Sequence, residues 1–319
     1  MYTSSELKFH PSAPMFFCDS FLPFLYRLAV IMVVGVMAAC SKATDADKGV
    51  TEAVADAANN ADNGDSDDII YRTLDQIKKS GSIKIGVFSD KNPFGYVDEN
   101  GKYQGYDVYF ARRIAEDLGV EVEFVSTEAA NRVEALQTGK VDIILANFTV
   151  TEERAQQVDF ALPYMNVALG VVSPSDKVIT ELSQIGTDDA VIVISGTTAE
   201  IYLEENNPEI TLKKYDTYSD AKTAFENGQG VAWANDNTEV IAYANTVDGY
   251  TVGIPKLGSD DTIAPAVTKG NESLLNWIND EIKSLADEQF FHKDYEETLV
   301  DTYGKDYEEE LVVEGGVIK

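Results

Sequence analysis

In NFTVTEERAQQVDF (147–160), directly after the apolar run VDIILA, Thr151 is spaced to cap a helix whose first turn contains Arg154. A cation there meets the positive end of the helix dipole, a cost of roughly 0.3–1 kcal/mol, and backbone N–H groups at the same end attract an anion. An anion bound at Arg154 offsets the cost. A guanidinium fork matches a carboxylate with two parallel donors, and Thr149, at the end of the strand, can add a hydroxyl. The alternative is a surface arginine paired with Glu153 or Asp159.

Opposite chemistry stands at a repeated place in the chain. ALQTGKVDIILAN (135–147) and AFENGQGVAWAND (224–236) both run from a helix end through a glycine to an apolar strand, and eight residues beyond Gly139 and Gly228 stand Asn147 and Asp236. Asp236 can accept hydrogen bonds from an ammonium group, or simply cap the helix that follows. SGTTAEIYLEEN (195–206) offers a second anion cradle, with Gly196 admitting close backbone approach and Thr197 or Thr198 as the cap. A carboxylate held by Arg154 and Thr198 together with an ammonium held by Asp236 describes a free α-amino acid.

The elements that must position these groups follow from periodicity. LDQIKKSGSIKIGVFSD (74–90) reads as a short helix, a glycine turn and a strand. GYDVYFARRIAEDLGV (105–120) places Val108, Ala111, Ile114, Ala115 and Leu118 at helical spacing, with Asp107 as a possible N-cap and Gly119 as C-cap. Helix and strand keep alternating, which implies parallel β with crossover helices. The repeat implies two similar Rossmann-like α/β lobes joined by two hinge strands, crossing near YMNVALGVV (164–172) and returning near LGSDDTIAPAV (257–267). Ligands of open α/β sheets bind at the carboxyl ends of strands, so the cleft lies between the lobes. LLNWINDEIKSLADEQFF (274–291) is expected to pack on the first lobe. The lobes are assigned to 69–166 with 260–319, and to 167–259.

The N-terminal region is separate. LAVIMVVGVMAA (28–39) has the length of a signal-peptide core, so 1–39 reads as a signal peptide, starting at Met1 or Met15, with an uncleaved anchor helix as the alternative. MAAC is similar to a bacterial lipobox, making Cys40 the lipidated first residue of the mature chain. Residues 40–68, rich in Ala, Asp and Asn, read as a disordered tether with a reach of about 30 Å. Only Cys18 and Cys40 are cysteines, so the mature chain has neither thiol nor disulfide to offer. A formal net charge of −30 excludes nucleic acid as a partner of the folded body. His10 and His292 are the only histidines; there is no Gly-rich phosphate loop, metal-ligand spacing or cofactor motif.

These motifs resemble the extracytoplasmic solute-binding proteins of polar amino acid ABC importers, with a type II periplasmic-binding fold. The resemblance runs from about residue 82 to 303 through IKIGVFSDKNPFGY, GKYQGYDVYFARRIA, LQTGKVDIILANFTVTEERAQQVDFALPYM, GTTAE and the Asp of WANDNTEV. It implies that Arg154 and Thr149 bind a ligand carboxylate, Thr198 closes it from the second lobe, Asp236 takes the ammonium, and Asn147 contributes its backbone carbonyl. It further implies capture by clamshell closure, a monomer, an ABC permease as partner and a membrane attachment through the N-terminal lipid. Lys91 stands where the family often has an aromatic ring, and Arg132 where some members reach the ligand side chain; their alternatives are a solvated loop lysine and an arginine paired with Glu128 or Glu134. EAANRVEALQTGKVDIILANFT, VALGVV, IAPAV and EQFFHKDYEETL look most like the branch that binds L-cysteine. Two spare cations suit aspartate or glutamate, and cystine is a third choice. A dehydratase-like enzyme on the same fold is the rival reading, with a carboxylate such as Glu128 as acid or base.

Overall fold

The computed structural model describes residues 70–318. The expected signal peptide, the tether and Cys40 lie outside the described residues.

One five-stranded sheet contains β1 (Ser82–Val87), β5 (Glu121–Ser126), β6 (Ile143–Ile144), β7 (Val158–Phe160) and β13 (Ala266–Thr268); the short strands β2 (Asp90–Lys91), β3 (Gly95–Val97) and β4 (Tyr103–Gln104) form a ribbon of their own. The other five-stranded sheet contains β8 (Met165–Pro174), β9 (Ala190–Ile194), β10 (Thr211–Tyr215), β11 (Ala232–Asp236) and β12 (Tyr250–Ile263). Their orders are β5-β1-β6-β13-β7 and β10-β9-β11-β8-β12. In each, the fourth strand alone runs against the rest. This departs from the all-parallel expectation for a local reason. β8 and β13 are each reached through a few residues from the preceding strand, and without a crossover helix nothing forces parallel pairing.

The same two connections join the sheets. β8 and β12 pair antiparallel from Met165↔Ile263 to Pro174↔Tyr250, with three register shifts along β12. Bulges of this kind bend a strand and concentrate its twist.

Helices cover the sheets: α1 (Leu74–Ser80), α2 (Tyr106–Leu118), α3 (Arg132–Gln137), α4 (Glu152–Gln157), α5 (Thr198–Asn206), α6 (Tyr218–Glu226), α7 (Asn237–Thr246), α8 (Glu272–Leu285), α9 (Phe290–Thr298), α10 (Val300–Tyr303) and α11 (Glu308–Leu311). The five apolar residues picked out by spacing in α2 are all buried, and Gly119 closes the helix with φ 68 and its N–H on the carbonyls of Ala115 and Glu116. Asp107 is not the cap. Gly105, at φ 112, precedes the helix, and Asp107 is fully buried inside its first turn. Leu274, Ile278, Ile282 and Leu285 are buried along α8, but the expected segment 274–291 breaks at Gln289, which takes φ 51 before α9 starts. Phe110 of α2 then meets Phe291 edge-on at 4.9 Å and Tyr164 at 5.5 Å. Such pairs add about 0.5–1.5 kcal/mol each beyond their buried area, and they fasten α9 to α2 and to Tyr164 ahead of β8.

Candidate functional site

Gly139 and Gly228 adopt nearly the same left-handed φ, 67 and 68, before the third strand of each sheet. The ends of those strands, Asn147 and Asp236, are brought together: one side chain, Lys91, bonds to both. The equivalence stops at the backbone. Asn147 takes φ 43, whereas Asp236 takes φ −52 as the first half-turn of α7.

The unusual turn at Asn147 is held from below. Its N–H donates to Oδ2 of Asp107 at 2.8 Å, and the Tyr164 hydroxyl donates to Oδ1 at 2.5 Å. Burial pushes the Asp107 carboxyl up to about 7, against the pull of these two hydrogen bonds and of the Lys91 and Arg132 charges.

Thr151 caps α4 as expected, its Oγ1 accepting from the Arg154 N–H at 3.2 Å. The Arg154 side chain turns inward, and the residue is 7% exposed. Nη1 donates to the Thr149 carbonyl at 2.8 Å, and Nη2 to the Gly196 carbonyl at 3.0 Å. A guanidinium has five N–H donors, so three lie outside these two bonds. Arg132, 3% exposed, also donates through Nη2 to Gly196 at 3.1 Å, through Nη1 to the carbonyls of Ala146 and Asn147, and through Nε to that of Ala129. Both guanidiniums lie against the Phe148 ring, 4.4 Å away for Arg132 and 4.8 Å for Arg154. Desolvated cation–π contacts of this type contribute roughly 2 kcal/mol.

Among the described residues neither arginine forms an ion pair with an acidic side chain, although the Glu153 charge acts on Arg154. Asp159 pairs with Lys269, and Glu128 accepts from Asn131. Burial, and for Arg154 the neighbouring Arg132, push both guanidiniums below their ordinary range. Two buried cations converging on one neutral carbonyl form a place that a carboxylate would stabilise.

Asp236 is 6% exposed. It stands at the N-cap position of α7, but its side chain makes no capping bond, so the reading of it as a helix cap does not hold. It instead accepts from Lys91 Nζ through Oδ2 at 3.0 Å. Lys91 is not a solvated loop residue either: it is 1% exposed and also donates to Asn147 Oδ1. The rings of Tyr218, Phe94 and Phe88 surround its ammonium at 5.0, 5.2 and 5.6 Å. Burial alone would lower the Lys91 pKa; Asp236 first, then Tyr218 and Glu239, hold it above the ordinary value instead.

In the second cradle Thr197, not Thr198, supplies the cap, its Oγ1 accepting from the Glu200 N–H. Thr198 opens α5 and lines a pocket of about 500 Å³ together with Thr151, Gln156, Leu169, Tyr202 and Asp261. Thr149 is buried, with its carbonyl on Arg154. Gly196 adopts φ 76, and a Cβ there would sit 2.5 Å from Cα of Ala130. The second cradle therefore touches the first sheet's loops backbone to backbone. Asp107, Phe148, the ring cage and the Gly196 carbonyl had no signal as site groups in the sequence, since each acts through packing or through a backbone atom.

Residues 83–298 match the model of bacterial extracellular solute-binding proteins, family 3. The solved cysteine-binding protein of Campylobacter jejuni is 48% identical with a TM-score of 0.74, covering 76% of this chain and 98% of its own. A solved solute receptor for L-cysteine from Neisseria gonorrhoeae is 50% identical with a TM-score of 0.75, covering 76% of this chain and all of its own. The ABC transporter glutamine-binding protein of Bacillus subtilis is 29% identical over 231 residues, 71% of this chain and 84% of that protein.

Proposed function

The chain belongs to the bacterial extracellular solute-binding proteins, family 3, and from that premise we propose that it captures L-cysteine for an ABC importer. That it is an amino-acid-binding protein of ABC transport follows from the family and its relatives; the choice of cysteine is ours. The carrying observation is the convergence of Arg154 and Arg132 on the Gly196 carbonyl, with the buried Asp236 at the repeat-equivalent strand end. A zwitterion laid between them places its carboxylate on Arg154, assisted by Thr149 and Thr198, and its ammonium toward Asp236. Closure of the two lobes about β8 and β12 assembles both sets of contacts, so ligand favours the closed form.

Two facts support a neutral ligand over aspartate or glutamate. The Lys91 charge is matched by Asp236, and Arg132 spends four hydrogen bonds on carbonyl groups. The cations that favoured an acidic side chain are thus already engaged. The two cysteine-binding relatives at 48% and 50% identity support cysteine over the glutamine named for the more distant relative. A thermal-shift screen of the twenty amino acids and cystine tests the choice: bound ligand adds about 2.7 kcal/mol at a hundred times its Kd. L-cysteine giving the largest rise is the expected result; a larger rise with glutamate or glutamine overturns it.

We further propose a binding and not a catalytic role, as for these relatives. The lobe boundaries given above, a monomeric body, and an extracytoplasmic location, in the periplasm or on the outer face of the plasma membrane, with attachment through lipidated Cys40 complete the proposal. Radiolabelled palmitate entering the wild-type chain in bacteria but not Cys40→Ala is the result expected for the anchor.

A further inference from the structure

The ammonium site proposed for the ligand is already furnished with an ammonium of the protein's own. Lys91 Nζ sits among three ring faces, one carboxylate oxygen and one amide oxygen, which is the set of partners a small organic cation selects. Lys91 belongs to the ribbon after β1, and Asp236 ends β11 of the other sheet. Their contact therefore ties the two sheets together at the point where the ligand's ammonium has to arrive. Nearby, Ser219 N–H donates to Asp90 Oδ2 and Phe88 meets Tyr218 edge-on at 5.3 Å, so the Lys91 loop and the start of α6 are joined along their length.

A second carboxylate lies one helical turn further along α7. Glu239 is fully buried, yet neither of its oxygens accepts a well-formed hydrogen bond; its ion-pair partner is Lys222 at 3.1 Å, whose side chain is 27% exposed. A buried carboxylate with so little hydrogen bonding carries a large desolvation cost, and another donor would lower it. Asp236 and Glu239 are three residues apart at the start of one helix, which makes them neighbours on its surface, and the charges of both act on Lys91.

We propose that Lys91 is a two-position latch that sets the ligand affinity: it holds Asp236 until the α-ammonium of the amino acid displaces it, and then moves to Glu239. Latched on Asp236, the protein is closed but not competent to take ligand. The apparent affinity is therefore the intrinsic affinity multiplied by the unlatched fraction. Moving to Glu239 keeps the lysine charge paired while the ligand occupies Asp236, and this holds the cost of displacement down.

This rests on the reading of the site as an amino acid site, and the test separates the two. Lys91→Met removes the competitor and is expected to bind L-cysteine roughly tenfold more tightly in calorimetry, the gain for a latch that is about 90% engaged. Glu239→Gln removes the second position and is expected to weaken binding about fivefold in the wild-type background, with no effect in the Lys91→Met background. Independently of any ligand, small-angle scattering of Lys91→Met without amino acid is expected to give a larger radius of gyration than wild type. Weaker or unchanged cysteine binding by Lys91→Met, or a Glu239→Gln effect that persists without the lysine, overturns the latch. Wild type binding no amino acid would instead remove the underlying reading; the latch is then decided by the scattering alone, and unchanged scattering overturns it.

Discussion

The two copies of the repeat end in the same backbone device and in opposite chemistry. Both have a left-handed glycine, an apolar central strand and a turn into a helix. At the first, a strained Asn147 is locked by Asp107, and the cations stand beside it on α3 and α4. At the second, no strain is needed, because Asp236 carries the charge itself as the strand runs straight into α7. The comparison teaches that a duplicated frame can bracket a dipolar ligand when one end donates and the other accepts.

Removing the donor end should break this asymmetry most. Arg154→Ala is expected to abolish measurable cysteine binding, since truncating one partner of a buried charge pair costs about 2–5 kcal/mol or more. Calorimetry checks it, and circular dichroism confirms that the variant folds. Next in size is the contact that brings the two ends together. Gly196→Ala puts a Cβ at a left-handed φ and against Ala130, so the lobes cannot approach as they do here. Cysteine affinity is expected to fall by roughly a hundredfold, a cost on the scale of the about 1–3 kcal/mol of overpacking and strain, and scattering should show that saturating ligand no longer compacts the protein.

The smallest effect sharpens the role of the lock under Asn147. The Asp107 carboxyl is raised in the folded chain to about 7 from an ordinary value near 3.8, so between those values the folded state binds more protons than the unfolded state. Its contribution to stability is then present at low pH and is lost as pH rises through about 4 to 7. Asp107→Asn should flatten that part of the melting-temperature profile by a few degrees relative to wild type. Parallel profiles would place the lock's charge elsewhere.

Much of this was legible before any coordinates. The α2 stripe, the Gly119 and Thr151 caps and the repeat all follow from spacing and local physical chemistry. What was not legible depended on atoms that sequence does not distinguish. Asp107 looks like a cap because Asp is a good one, yet Gly105 takes that position and frees the carboxylate to hold a backbone N–H forty residues away. The contacts of Lys91 and Arg132 were not legible either, because Asp236 and the carbonyls of Ala146, Asn147 and Gly196 come from other parts of the chain. The reversed fourth strands were missed because alternation of helix and strand says nothing about the two short connections that lack a helix.

The central claim is that one end of the cleft grips a carboxylate and the other an ammonium on the same small molecule. Calorimetric titration of the wild-type protein with L-cysteine, cysteamine and 3-mercaptopropionate tests it directly, because the latter two each lack one of the charged groups. The expected result is heat from L-cysteine and none from either analogue at the same concentration. Binding of either analogue with an affinity equal to that of L-cysteine would contradict the account.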